Sequence, residues 1–200
     1  MPRRLLARAL VLAAAAGLAS FASVPACAAE RVTIEQISVE VPEKWSRAES
    51  RTGCAAVFKS DAVHLEGEAR RQDVITVRVL PASGNTLDQF EALMKDVMKK
   101  QAKELSDLAL QQSPLKVDIE KLGKYEYTRV KLEGVEALRM EGMSLLKVAG
   151  ELVKTHNVTH VLLLADKFYV IATGSPASRR KAVEAAQKKF ITSIRIEADK

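Results

Sequence analysis

Two clusters in this 200-residue chain combine residue types that could do chemistry. The first is IATGSPASRRKAVEAAQKKF, Ile171 to Phe190, where small residues, Ser175, Ser178 and the basic run Arg179, Arg180, Lys181 precede a helical pattern. A helix start offers unpaired N–H groups and the positive end of the backbone dipole, so Ser175, Ser178 and Arg179 form a possible anion site. Ser178 and Lys181 also have the S-x-x-K spacing of a serine nucleophile with a lysine partner, but the Ser-Asp-Asn and Lys-Thr-Gly strings that accompany it are absent. TGSPA lacks the second glycine of G-x-S-x-G, and no G-x-x-x-x-G-K occurs. The structural reading is favoured: Ser175 as N-cap, with Pro176 at the first helical position, where its missing N–H costs nothing. Anion binding at Ser175–Arg179 is the alternative.

The second cluster is THNVTH, with His156 and His160 four residues apart. On a helix this spacing could chelate a metal. Val, Thr and Leu dominate the segment, which points to a strand, where the two rings share a face but lie about 13 Å apart. No neighbouring cysteine or carboxylate completes a ligand set, so no metal or other cofactor is expected. His64 stands alone, and Asn157 heads an N-x-T string that matters only in a eukaryotic secretory pathway. Acids are interspersed with lysines along the chain, so no carboxylate pair stands out for acid–base work. No catalytic residue is assigned, and the expectation is a protein that is not an enzyme.

The chain's destination is easier to read. Arg3, Arg4 and Arg8 precede an uncharged run from Ala9 to Val24, closed by Ala26, Cys27, Ala28 and Ala29. That is the pattern of a secretory signal peptide over residues 1–29, cleaved near Ala28 or Ala29, in bacterial style, which places the protein in the periplasm. Cys27 follows VPA, a poor lipobox; lipidation there would tether the protein to a membrane and is the one route to a membrane considered. The net charge of +6 includes the three leader arginines, leaving about +3 with acids and bases mixed, so no nucleic-acid footprint is evident. With the leader removed, Cys54 is the one remaining cysteine and cannot form an internal disulfide, so packing must stabilise residues 30–200, a length suited to one domain. Cys54 itself reads as a buried structural thiol.

Element by element, RVTIEQISVEVPEKW reads as a strand ending at Pro42, CAAVFKS as a short second strand, HLEGEARRQD as an exposed turn, and DVITVRVLP as a strand stopped by Pro81. Thr86 and Gln89 make a capping box for a helix running to about Leu110, with an apolar stripe at Leu87, Phe90, Leu93, Met94, Val97 and Met98 and a lysine face at Lys95, Lys99, Lys100 and Lys103. The second half gives strands through Tyr125–Tyr127 and VEALRMEG, a hairpin turning at Asp166–Lys167, the second helix and a short closing strand. The expected fold is α+β, an α/β/α sandwich around a central antiparallel sheet of about seven strands with two main helices.

The strand ending in Pro-x-x-Trp (ISVEVPEKW), VITVRVLP leading into an amphipathic helix, the glycine in KLEGVEALRMEG, and the order hairpin, helix, terminal strand in HVLLLADKFYVIATGSPASRRKAVEAAQKKFITSIRI together resemble the PsbP-like superfamily, including bacterial exported proteins of the DcrB type. The resemblance spans most of residues 30–200 and consists of order and punctuation, not an active-site signature. It implies an α/β/α sandwich and an accessory or binding role, as in photosystem assembly factors, small envelope lipoproteins and a Ran-binding transport factor, with an unnamed envelope protein as partner. It supplies no catalytic residue. The weak lipobox at Cys27 and an apparently long connection from Ala149 to Thr155 depart from the pattern. Trp45 suits a plug at the open end of such a sandwich.

Overall fold

A computed structural model describes residues 30–50, 53–66, 69–111, 124–148 and 151–197. The segment read as a signal peptide, with Cys27, Ala28 and Ala29, lies outside them. Ten strands and two helices follow in the order β1 (Arg31–Ile34), β2 (Ile37–Glu40), β3 (Trp45–Ala48), β4 (Ala56–Glu66), β5 (Ala69–Pro81), α1 (Leu87–Gln111), β6 (Tyr125–Leu132), β7 (Val135–Val148), β8 (Glu151–Leu164), β9 (Lys167–Pro176), α2 (Arg180–Thr192) and β10 (Arg195–Ile196). Seven strands form one antiparallel sheet in the order β3-β4-β5-β9-β8-β7-β6, and β1-β2-β10 form a small second one. With one helix on each face of the large sheet, the fold is α+β around a central antiparallel sheet.

Alternation along the strands sorts residues between the two faces. On one, Phe58, Ile75, Val77, Leu162, Tyr169 and Ile171 pack against Phe190 and Ile191 of α2 and against Val32, Ile34, Ile37 and Val39 of the small sheet. Phe58 and Phe190 meet edge to face at 5.1 Å. Ser193 ends α2 and locks the small sheet to it: its Oγ donates to Phe190 O at 2.8 Å and accepts from Glu40 N at 2.9 Å. Trp45 is half-buried against this core. On the other face, Leu138, Met140, Val161 and Phe168 meet Leu87, Phe90 and Met94 of α1.

Several local expectations change. RVTIEQISVE is not one strand but the hairpin β1–β2, turning at Glu35, whose φ of 52° no glycine or asparagine announces. Within HLEGEARRQD, residues 64–66 and 69–73 are strand, not turn: beyond an irregularity between Lys59 and Val63, β4 and β5 go on pairing with each other out to Glu66↔Ala69. The β7–β8 connection is short, since pairing reaches Val148↔Glu151. The β8–β9 turn falls at Ala165–Asp166, both with positive φ, one residue earlier than expected. Asp166 then accepts from Gly84 N at 2.8 Å through its carboxylate and from Ala82 N at 2.8 Å through its carbonyl, tying this turn to the entry of α1. The capping box is present: Thr86 N donates to Gln89 Oε1 at 2.8 Å, and Gln89 N to Thr86 Oγ1 at 3.3 Å. Cys54 is half-buried and free, so it is less enclosed than the sequence suggested. The side chain of His64 lies outside the described residues.

Candidate functional site

The face of the sheet beneath α2 changes character along its length. At the β8–β9 turn it is apolar; at the other end, ladder register lines up polar residues from three strands. Arg139 sits opposite His160, Glu141 opposite Val158, Val158 opposite Thr173, and His156 opposite Ser175. Helix α2 crosses above them, and a cavity of about 220 Å³ remains between helix and sheet. Strands β7, β8 and β9 contribute Arg139, Glu141, His156, Val158, His160 and Thr173 to its wall. The helix contributes Arg180, Glu184, Gln187, Lys188, Ile191 and Thr192.

Glu141 organises the site. Its carboxylate takes a hydrogen bond from Arg139, meets Arg180 at 2.9 Å, and lies 2.8 Å from His156 Nε2. Burial works to raise its pKa, but the hydrogen bonds from His156 and Arg139 and the charge of Arg139 outweigh it and leave the carboxyl below its ordinary value. An ionised carboxylate only accepts, so His156 carries its proton on Nε2 and turns Nδ1 elsewhere. His160 is held neutral: burial, reinforced by Arg139 and opposed by Glu141, lowers its pKa to about 4. The carboxylate missing from the sequence reading of the histidines thus arrives from the adjacent strand, fifteen residues from His156.

The two serines and the arginine singled out in the sequence sit beside this cavity, not on its wall. Ser175 is not an N-cap. It and Pro176 belong to β9, paired with His156 and Thr155; Pro176 has ψ 141°, and the helical turn begins only at Ala177, with no side-chain cap. The ladder with β8 holds them extended, a conformation that the residue before a proline already prefers. Arg179 reaches back to Asp73 at 3.0 Å, and that carboxylate is 1% exposed. Ser178 is exposed.

Buried polar groups without partners are rare in proteins. Among the described residues seven buried side-chain atoms have none, and all but Tyr127 Oη gather at this polar end: Asp73 Oδ1, His156 Nδ1, His160 Nδ1, Ser175 Oγ, Arg179 Nε and Gln187 Nε2. Ser175 faces His156 across the ladder, yet neither Ser175 Oγ nor His156 Nδ1 has a hydrogen-bond partner, so they do not bond each other. Thr173 Oγ1 donates to Val158 O at 3.0 Å. The acid and imidazole are therefore coupled, and among the described residues neither is hydrogen-bonded to a serine or threonine hydroxyl. No group of three or more His, Cys, Asp or Glu positioned for a metal occurs among the described residues.

The opposite face carries a second opening. Helix α1 is anchored at its start by Phe90 on Phe168, ring centres 4.8 Å apart, by Arg129 bound to Asp88 and 3.0 Å from Glu91, and by Lys95 over the Tyr127 ring at 5.1 Å. Beyond that anchor, Met94 and Met98 stand off from Val74, Thr76, Val170 and Ala172, and Met140 joins the wall of a cleft of about 940 Å³. No residue of α1 whose side chain is described is buried, and Leu93, expected in the core stripe, is 59% exposed. Nothing in the period of the stripe distinguished a helix pressed on its sheet from one propped above it.

No family profile matches the sequence, and no curated protein matches it. Solved structures do. PsbP from the cyanobacterium Synechocystis aligns at a TM-score of 0.50 with 16% identity, over 84% of this chain and 91% of that one. A Pseudomonas aeruginosa protein of unknown function, PA94, aligns at a TM-score of 0.51 with 11% identity, over 86% and 99%. The fold is PsbP-like. LpqN, involved in cell envelope biogenesis of Mycobacterium tuberculosis, is also similar, at a TM-score of 0.48 and 12% identity over 85% and 86% of the two chains. At such identities PsbP and PA94 share with this chain the fold alone. No helix among the described residues is long and apolar enough to cross a membrane.

Proposed function

We propose that this protein is a non-catalytic accessory protein of the bacterial envelope, of the DcrB type, that works by binding a partner protein. Residues 1–29 are its signal peptide and residues 30–200 a single PsbP-like domain in the periplasm, lipid-anchored only if Cys27 is acylated. The observation that carries the reading is the cleft under α1. Its floor mixes Val74, Val170, Ala172 and Met140 with Thr76, Asn157 and Thr159, Met94 and Met98 line it from the helix, and Leu93 stands exposed above it. Flexible, polarisable methionines let such a surface adapt to an apolar segment of another protein. Lys95 and Lys100 pair with Glu91 and Asp96 on the helix, while Lys99 and Lys103 are exposed along it, which favours a partner segment with acidic flanks. The test is a photo-crosslinking residue placed at Leu93 in cells, with one at Lys189 on α2 as control. A discrete adduct at Leu93 that the control lacks supports the reading; adducts at neither position, or equally at both, count against it.

A second reading keeps an anion at the Ser175–Arg179 helix start. Its support is Arg179 Nε, buried and without a partner beside the exposed Ser178. Its weakness is that Asp73 already answers the Arg179 charge. A large, salt-resistant rise in melting temperature with phosphate, sulfate or a nucleotide, abolished by Arg179→Ala, would favour it over partner binding.

A further inference from the structure

The orphaned atoms of the α2 cavity form a pattern of donors and acceptors, and that pattern selects a ligand. We propose that the cavity between α2 and strands β7–β9 binds a small polyhydroxylated molecule, of sugar or polyol type, through His156, His160 and Gln187. All three line the cavity, all are at least nine-tenths buried, and each has a side-chain nitrogen with no partner.

The chemistry runs from Glu141 outward. His156 donates through Nε2 to that carboxylate, so with a single ring proton Nδ1 can only accept. Gln187 Nε2 can only donate. A ligand that meets both must donate and accept within one small volume, and a hydroxyl does both. A simple carboxylate or phosphate accepts and leaves His156 Nδ1 unmet. An ammonium donates, leaves Gln187 unmet, and would face the guanidinium groups of Arg139 and Arg180. The neutral His160 adds a third hydrogen-bonding nitrogen, while Val158 and Ile191 offer an apolar wall to the C–H faces of a sugar-like ring. The volume of about 220 Å³ far exceeds the roughly 15 Å³ that one trapped water occupies. Entry is past α2, where Glu184 and Lys188 are exposed. Neither Ser178 nor Arg179 lines this cavity, and the cleft under α1 lies on the far face of the sheet, so the site stands apart from both readings above.

Long-range proton–nitrogen NMR of the histidine rings, on the labelled chain from residue 30 onward near neutral pH, tests the site. The probes are glucose, myo-inositol and gluconate, taken to about 20 mM, a range that still detects weak binding. Acetate and phosphate at matched ionic strength serve as probes without donating hydroxyls. The expected result is a saturable shift of the His156 and His160 Nδ1 resonances with at least one hydroxylated probe. Gln187→Leu should weaken it about tenfold while the backbone spectrum stays otherwise native, the effect of one lost hydrogen bond. A preference for gluconate over inositol would assign a share to Arg180 and Lys188. Flat titrations with all three hydroxylated probes, which would leave water as the occupant, overturn the proposal. Equal shifts with acetate or phosphate do the same.

Discussion

Asp73 shows what the basic cluster before α2 does at the scale of single residues. A carboxylate 1% exposed requires a cation, and Arg179 supplies it across more than a hundred residues of chain. Removing one member of such a pair costs far more than replacing both. Arg179→Met should lower the unfolding free energy by about 3 kcal/mol in urea titrations, and Asp73→Leu combined with Arg179→Met should recover most of it. A double variant as unstable as the single one would show that Asp73 is satisfied without Arg179. His160 makes a second prediction at this scale. Its folded-state pKa, about 4, lies below the ordinary histidine value of 6.5, so the unfolded chain takes up a proton that the folded chain refuses. Its contribution is intact above the unfolded value and is lost as pH falls from about 6.5 to 4, close to 2 kcal/mol between neutrality and pH 5. His160→Gln should flatten that limb relative to wild type. Glu141 acts in a lower window: its pKa is depressed, so the stability it provides fades only as pH falls below the ordinary carboxylate range.

Elements meet in this molecule through a few close approaches. Gly142 of β7 lies opposite Tyr125 of β6, and a Cβ there would come within 2.7 Å of both Lys124 O and the Tyr125 ring. Tyr125 lies flat over the glycine and forms part of the α1 cleft wall. Gly142→Ala should displace β6 at a cost of about 2 kcal/mol, read as a lower urea midpoint. Thr86→Ala should cost about 1 kcal/mol, the usual loss for a hydroxyl cap, because it removes half of a reciprocal pair at the start of α1. That capping box was legible because its two residues are three apart and both bonds are local. The β1–β2 hairpin was not, because its turn rests on Glu35 in a left-handed conformation that carries no composition signal. The exposed-looking HLEGEARRQD was misread for a related reason: whether a polar segment is a turn or the far end of a hairpin depends on the strand beside it.

At the scale of the whole molecule, two faces of one sheet serve different ends. The α2 face closes into a core at one end and opens into a charged cavity at the other, while the α1 face stays partly uncovered along the helix. Export is the prediction that belongs here. Protein recovered from the envelope of its native cell should have an intact mass starting at Ala29 or Glu30, and fatty-acid labelling with and without Cys27→Ser decides whether a lipid is attached. A full-length mass in the cytoplasm would overturn the periplasmic assignment. The alternation of the strands, the capping box, the stripe of α1 and the order of elements were all written in the sequence, because each depends on residues within a few positions of one another, and together they were enough for the α+β class and the PsbP-like resemblance. Only the tertiary structure decided that Ser175 is a strand residue, that Arg179 belongs to Asp73, and that Glu141, His156, His160 and Gln187 surround one cavity. Those relations join residues on different strands and a helix, and register across a sheet is set by packing that no single segment of the chain contains.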